Sequence, residues 1–228
     1  MLTHNLICIK AGIKKPAFFI NLHPHNYPYN LFCKANFQQK IIMQLNKAIQ
    51  NRWSPRAFSD KEVTKEMIDL LFEAARWAPS SMNEQPWKYY FVHRNNQNTF
   101  NEVVEILTGT NPVWAQHAQV LIISVVKKNF DYQNRPNKNA LHDLGAANVS
   151  IAIQAAEMGL QVHQMGGFDK TKAAEYLQLD TENFEPVTAI AVGFQGDADQ
   201  LPEELKVREL QPRKRKKIAE FVYEIAEK

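Results

Sequence analysis

Two arginines and a serine alternate around a proline in the segment NRWSPRAFSD, residues 51–60. Pro55 restricts the residue before it to extended backbone, and side chains two apart on an extended segment point the same way. Arg52, Ser54 and Arg56 would then present two guanidinium groups and a hydroxyl on one side. That combination suits a phosphate, because arginine binds oxyanions through paired hydrogen bonds. A polar turn with solvated or ion-paired arginines is the alternative interpretation.

A second polar segment, APSSMNEQPW at residues 78–87, lies between two prolines. Hydroxyl and amide side chains both donate and accept hydrogen bonds, so this segment suits the polar edge of a ring or a sugar chain. The side chains are those of Ser80, Ser81, Asn83 and Gln85. An ordinary polar loop between a helix and a strand is the alternative.

A glycine pair follows a predicted strand in HQMGGFD, residues 163–169. Gly166 and Gly167 would allow a ligand to approach the backbone closely. No G-x-G-x-x-G motif precedes a helix, so a Rossmann dinucleotide site is not indicated. His163 is a candidate hydrogen-bonding residue toward a ligand, and a packed core histidine is the alternative.

A cationic run, PRKRKK at residues 212–217, begins the last predicted helix. Positive charge is unfavourable at a helix N-terminus because it opposes the helix dipole. A nearby anion would relieve this repulsion, although most such runs are solvated surfaces.

The bulk composition is that of an ordinary globular protein, with 228 residues, 45% hydrophobic and 22% charged. The net charge of +3 is uneven: residues 1–42 contain five lysines and no acidic residue, so the remainder has 27 − 5 = 22 basic and 24 acidic residues, a net of −2. A basic nucleic-acid-binding domain is therefore not expected. The sequence contains no apolar run of about 18 residues, so no membrane span is predicted.

The first 42 residues differ from the rest and show no sustained periodicity. They contain both cysteines, Cys8 and Cys33, so no disulfide framework is expected in the main body and a reducing, cytoplasmic location fits. A single bridge between Cys8 and Cys33 is the alternative. His23, His25 and Cys33 match no standard zinc spacing, and we expect no metal site. We interpret 1–42 as an atypical N-terminal extension and expect Met43 to be the natural start, which mass spectrometry of the native protein would test.

Hydrophobic periodicity predicts a mixed α/β or α+β domain with four or five strands between helices. The predicted helices cover 43–52, 64–78, 99–109, 139–159, 171–179 and 212–228, and the strands cover 87–93, 118–127, 160–165 and 186–194. The strand at 118–127 is apolar on both faces and should be central. The long helix should bury Leu141, Leu144, Asn148, Ile151, Ala155 and Met158, and the last helix Ile218, Phe221, Val222 and Ile225.

The four polar segments, together with GAANVSIAIQAAEMGL at residues 145–160, occur in an order that resembles the nitroreductase family of flavin mononucleotide (FMN) oxidoreductases. The resemblance covers about residues 46–215 of a domain spanning 43–228. It implies an α+β fold with a central, mostly antiparallel sheet of four or five strands flanked by helices. It also implies a homodimer with FMN at the subunit interface.

Carried onto this sequence, the resemblance implies an FMN phosphate site at Arg52, Ser54 and Arg56, joined by Arg213 and Arg215. Trp53 would contribute a backbone contact between the arginines.

The same resemblance implies that Pro79, Ser80 and Ser81 border the flavin, with some contacts reaching the partner subunit's cofactor. Asn83 and Gln85 would lie near the ring or the ribityl chain, and Asn111 would make a polar contact. The strand-end loop beside the ring would consist of His163, Gln164, Met165, Gly166 and Gly167. Better-known members have an acidic residue where Gly166 lies, and backbone amides of this loop would bond the N5/O4 edge of the flavin.

The implied activity is ping-pong: NADH or NADPH reduces bound FMN, and an electron-poor small molecule such as a nitroaromatic, a quinone or an enone then takes the electrons. No catalytic side chain is required of the protein. The alternatives are a family relative with other flavin chemistry, such as dehalogenation, dehydrogenation or flavin destruction, and a non-enzymatic flavin-binding or nucleic-acid-binding module.

Overall fold

A single antiparallel sheet forms the centre of the computed structural model, which describes residues 44–225. Its strands are β1 (Trp87–His93), β2 (Val120–Lys127), β3 (Gln161–Met165) and β4 (Phe184–Gly193), in the order β1-β2-β4-β3. The predicted α+β class and the central position of β2 are confirmed. The predictions for 1–42, including the start at Met43, lie outside the described residues.

Within residues 44–225, seven α-helices accompany the sheet. They are α1 (Lys47–Asn51), α2 (Lys65–Arg76), α3 (Gln97–Val104), α4 (Asn111–Ala115), α5 (Ala140–Glu157), α6 (Lys170–Tyr176) and α7 (Glu203–Glu209). Helices α4 and α7 were not predicted. No helix of this described part has an apolar stretch long enough to cross a bilayer.

Helix α5 packs with α2 on one face of the sheet and buries its small residues there. Leu144, Asn148, Ile151 and Ala155 are buried, as the helical period predicts. Leu141 is 57% exposed instead, because in the first turn of α5 it is the neighbouring Ala140 that faces the sheet and packs with Val126.

The predicted C-terminal helix is wrong. Within the described residues, the segment after 211 contains one short 3₁₀ turn, Ile218–Glu220, and the four side chains predicted to be buried are exposed. An amphipathic helix is stable only when a surface covers its apolar stripe, and the cations of residues 213–217 also oppose the dipole of a helix that would begin there.

The segment that carries the first arginines is fastened to the end of β4. The Ser59 N–H donates to the Phe194 carbonyl (2.9 Å) and the Gly196 N–H to the Ala57 carbonyl (2.8 Å). A Cβ on Gly196 would lie 2.6 Å from the Phe58 carbonyl carbon, so this crossing requires glycine.

Candidate functional site

Three guanidinium groups, those of Arg52, Arg213 and Arg215, line one groove beside α1. Among the described residues, none of the three forms an ion pair with a carboxylate. Arg52 Nη1 donates to Ser54 Oγ at 3.1 Å, which brings the hydroxyl into the cluster. Burial, followed by repulsion from Arg213 and Arg215, lowers the pKa of Arg52. An anion bound in this groove would relieve that repulsion.

Trp53 ties this cluster to the edge strand. Its N–H donates to Gln161 Oε1 at 2.8 Å, at the beginning of β3. The Arg213 guanidinium carbon lies 5.3 Å from the centroid of the half-buried Trp53 ring, within the range of a cation–π contact. The Arg213 guanidinium also donates to the Gln50 carbonyl. These contacts fix the C-terminal segment against the arginine-bearing segment.

Arg56 is paired with a carboxylate, unlike Arg52, with which the sequence pattern grouped it. Its N–H donates to both carboxylate oxygens of Glu209, each at 3.0 Å, and its Nη1 lies 3.5 Å from Glu209 Oε2. The Glu209 side chain, on α7, is only 4% exposed. The structure therefore groups Arg52 with Ser54 and pairs Arg56 with a carboxylate that the sequence pattern did not reveal.

His163 packs inside the protein rather than toward open space. Its ring centroid lies 4.5 Å from that of Trp114, and its Nδ1 is 2.8 Å from the Pro55 carbonyl. A carbonyl only accepts, so Nδ1 carries the proton. Burial, with a smaller effect of the Arg56 charge, lowers the pKa of His163 to about 4. The neutral imidazole holds the Ser54–Arg56 segment on β3. These contacts are those of the packed core histidine that the sequence offered as the alternative.

The glycine pair at the end of β3 is built around Asn111. The Gly167 carbonyl accepts from Asn111 Nδ2 (2.8 Å) and from the Thr108 N–H (3.0 Å). A Cβ on Gly167 would lie 2.6 Å from Asn111 Nδ2, whereas a Cβ on Gly166 would meet nothing within 4 Å. None of the hydrogen bonds found within residues 44–225 is donated by the N–H of either glycine. Both amides can therefore donate to a ligand.

The remaining two residues of this loop differ in exposure. Met165 is buried in the core, so only its backbone can contact a ligand. Gln164 is exposed, and its Oε1 lies 3.4 Å from Asn148 Nδ2.

The polar loop 79–85 is held by the first turn of α5. The Ser81 N–H donates to the buried Asp143 carboxylate (2.9 Å), and Asn139 Nδ2 donates to Ser81 Oγ (3.2 Å). The Gln85 N–H donates to Ser80 Oγ at 3.0 Å. Met82, Asn83 and Gln85 have φ values of 54°, 55° and 51°. Pro79 is exposed at the start of this loop.

The arginine cluster and the polar loop lie toward opposite ends of α5. The loop is bound at Asp143, whereas the cluster is bound at Gln161, just after the helix ends at Glu157. Fourteen residue steps from Asp143 to Glu157 correspond to about 21 Å along the helix axis. Strand β3 returns from the cluster toward the glycine pair over roughly 13 Å. One chain thus joins the arginines to the glycines, and it holds the polar loop toward the end of α5 that lies away from the arginines.

Four residues that shape the site were not predicted as site residues: Asp143, Asn148, Gln161 and Glu209. Asn148 left a signal in the sequence, because an amide at an inward-facing helical position needs a buried partner. Gln161 and Glu209 carry no local signal, since their partners at Trp53 and Arg56 are more than one hundred residues away.

These features define an α+β protein with a cluster of three arginines at one end of the edge strand β3 and, at the other, two glycine amides that donate to no described residue. The family model "Nitroreductase family" matches residues 49–107 and 97–194. The chain belongs to the nitroreductase family and is accordingly an oxidoreductase.

Solved structures and sequence relatives agree with this membership. A crystal structure described as "the oxidoreductase containing FMN" is 32% identical, with a TM-score of 0.75 over 80% of this chain and 92% of that one. A nitroreductase family protein from Streptococcus pneumoniae, 20% identical, shares the fold with a TM-score of 0.62 over 78% of this chain and 98% of that one. A protein of Methanothermobacter thermautotrophicus named "Putative NADH dehydrogenase/NAD(P)H nitroreductase" is 26% identical over 67% of this chain and 78% of its own length.

Proposed function

We propose that this protein is a homodimeric, FMN-dependent NAD(P)H oxidoreductase of the cytoplasm that reduces electron-poor small molecules such as nitroaromatics or quinones. One observation carries the proposal: β3 joins three guanidinium groups without carboxylate partners among the described residues to two glycine amides that donate to no described residue. A molecule with a phosphate at one end and a ring with acceptor atoms at the other matches both sets of donors.

The residues present fit FMN. Arg52, Arg213 and Arg215 would hold the phosphate, because none of them has a carboxylate partner among the described residues. The Ser54 hydroxyl, bonded to Arg52, would join them. Arg56 would add to the positive field, although Glu209 already neutralises part of its charge. The backbone of Trp53 would lie between the phosphate ligands. The amides of Gly166 and Gly167 would donate to acceptor atoms at the N5/O4 edge of the ring.

Bound FMN would supply hydride acceptance from NADH or NADPH and electron transfer to the acceptor substrate in a ping-pong sequence. The chain's own contribution is binding and electrostatic stabilisation. The Gly167 N–H shares a peptide group with the Gly166 carbonyl, which accepts from the Phe168 N–H at 3.1 Å. This bond orients the peptide before a ligand binds, so its amide is prepared to stabilise negative charge. We assign no nucleophile, no general acid and no metal to the reaction.

The placement of the polar loop supports the homodimer. In one chain, the Asp143 contact holds loop 79–85 toward the opposite end of α5 from the arginine cluster. A second subunit could supply its own loop to this chain's ligand. Ser80, Ser81, Asn83 and Gln85 would then contact the cofactor of the partner subunit.

The proposal is tested by titrating the purified protein with FMN and following reduction of the complex by stopped flow with NADH and then NADPH. We expect a yellow complex that is bleached by at least one of the two and recolours with a quinone or nitroaromatic. Protein that stays colourless after incubation with FMN would end the proposal. Product analysis over an acceptor panel distinguishes this activity from dehalogenation or dehydrogenation.

Arg52→Ala should weaken FMN binding by about 1.5–3 kcal/mol, the scale of a lost charged hydrogen bond. Arg76→Ala is the matched control, since Arg76 carries the same charge but pairs with Glu73 on the surface of α2. Dissociation constants from flavin fluorescence provide the comparison. Equal affinities for the two variants would argue against a phosphate at Arg52.

A further inference from the structure

A chain of hydrogen bonds leads from the buried middle of the sheet to Gln164, an exposed residue of β3. Ser124 Oγ donates to the Thr188 carbonyl (3.1 Å) and lies 3.5 Å from Asn148 Nδ2. Asn148 Oδ1 accepts from Tyr89 Oη (2.9 Å), and its Nδ2 lies 3.4 Å from Gln164 Oε1. Ser124 and Asn148 are 0% and 3% exposed, so these polar groups must be satisfied by each other.

The direction of every bond in this chain follows from its first member. A backbone carbonyl can only accept, so the single proton of Ser124 goes to Thr188. Ser124 Oγ then offers only lone pairs to Asn148, which must turn its NH₂ group toward the serine. The carbonyl of Asn148 consequently accepts from Tyr89. Burial raises the pKa of Tyr89, which keeps this phenol protonated as a donor.

The second proton of the Asn148 NH₂ group faces Gln164. The nearer atom of Gln164 must therefore be its acceptor, Oε1, as the structure shows. Its NH₂ group is then directed away from Asn148, toward the exposed side of β3. Gln164 lies between the arginine end of this strand and the glycine amides.

We infer that Gln164 presents its NH₂ group as a fixed hydrogen-bond donor to the ligand held along β3, with Asn148 and Ser124 as the positioning residues that set this polarity. The inference rests on the proposed FMN site. It adds a specificity determinant: the site selects ring systems with an acceptor atom, a carbonyl oxygen or unprotonated ring nitrogen, facing Gln164. A ring with an N–H at that place would be rejected because two donors would meet.

The positioning role is tested by a double-mutant cycle on FMN affinity with Gln164→Leu and Asn148→Leu. Gln164→Leu should raise the FMN dissociation constant roughly three- to tenfold, the scale of one neutral hydrogen bond. Asn148→Leu, which is nearly isosteric and uncharged, should also raise it, and should add nothing in the Gln164→Leu background. Effects that simply multiply would overturn the inference. If Asn148→Leu does not fold, Ser124→Ala takes its place in the same cycle.

The polarity is tested by Gln164→Glu, which keeps the contact to Asn148 but replaces the ligand-facing donor by an acceptor. We expect it to bind FMN at least as weakly as Gln164→Leu at pH 8. Wild-type affinity in Gln164→Glu would show that an acceptor faces the ligand and would overturn the inference.

An NMR measurement on the ligand-free protein separates this inference from the proposed function. If wild-type protein bound no FMN, the proposed function would fail, yet the side-chain amide protons of Gln164 would still report the orientation. Fast exchange with solvent supports an outward-facing NH₂ group. Slow exchange would mean that the NH₂ group faces Asn148, and would contradict the inference.

Discussion

His163 shows how a single side chain connects the edge strand to the arginine-bearing segment. Its Nδ1–H donates to the Pro55 carbonyl, and its ring packs on Trp114, which itself stacks on Phe58 with centroids 6.2 Å apart. Through the Pro55 carbonyl, the histidine holds the backbone segment that carries Arg52 and Ser54. The contacts that the structure shows for His163 are ring packing and a hydrogen bond to the backbone.

This environment makes stability depend on pH in a defined window. The folded pKa of His163 is about 4, below the ordinary 6.5, so between these values the unfolded chain binds a proton that the folded chain does not. The stabilisation is fully present above pH 6.5 and is lost as pH falls to 4, by at most about 3 kcal/mol. His163→Phe should remove this slope from the free energy of unfolding measured by denaturant titration. His142→Phe, at an 85% exposed side chain, is the control and should retain it. An unchanged slope in His163→Phe would contradict the assignment.

At the scale of elements, three sets of hydrogen bonds hold the segments of the candidate site. The segment around Phe58 is bonded to the residues after β4, the Arg56 N–H is bonded to α7, and the polar loop is bonded to the first turn of α5. The site-bearing loops are thus held by regular structure rather than by each other.

A methyl group added at Gly196 should disrupt the first of these, the bonds between the Phe58 segment and the residues after β4. In Gly196→Ala the added Cβ would lie within 3 Å of three Phe58 and Ser59 backbone atoms, which cannot rotate away as a side chain would. We expect a loss of roughly 1–3 kcal/mol in unfolding free energy, the usual cost of overpacking. Gly145→Ala is the control, because Gly145 is an exposed position of α5 where an added Cβ would meet nothing within 4 Å. Replacing a helical glycine by alanine should stabilise the protein. Thermal and denaturant unfolding of both variants would check the opposite signs, and a Gly196→Ala protein as stable as wild type would refute the close crossing.

At the scale of the whole molecule, the proposed homodimer would bring ligand contacts from two subunits to each site. The arginines and glycines are joined by β3, while the polar loop is bound at the far end of α5. If two subunits complete each site, a chain with a changed arginine cluster and a chain with a changed polar loop should restore FMN binding when they are paired.

Complementation can be measured by co-expressing two differently tagged chains, one with Arg52→Ala and one with Asn83→Gly and Gln85→Gly. Glycine preserves the positive φ of the two loop positions. Each variant alone should bind FMN weakly. The purified heterodimer should regain tight FMN binding at one of its two sites, because that site combines an intact arginine cluster with an intact loop. Failure to regain any tight site would argue that both sets of residues act within one chain.

Much of this arrangement could be predicted from the sequence. Strand β1 has the predicted bounds, 87–93, and the buried stripe of α5 follows the predicted period apart from its first turn. Short-range patterns report such features because burial of one face imposes its own spacing. The C-terminal helix failed for the converse reason, since its pattern was right for a helix but no described surface covers its apolar stripe.

The sequence by itself determined the fold class, the order of most elements and the residue types of the arginine, glycine and polar-loop segments. The tertiary structure alone decided which of these groups meet: Arg52 with Arg213, Arg56 with Glu209, and Gln164 with the buried amide of Asn148. Local patterns record what a residue needs, such as burial or a hydrogen-bond partner. Which distant residue meets that need is settled only when packing brings the two together.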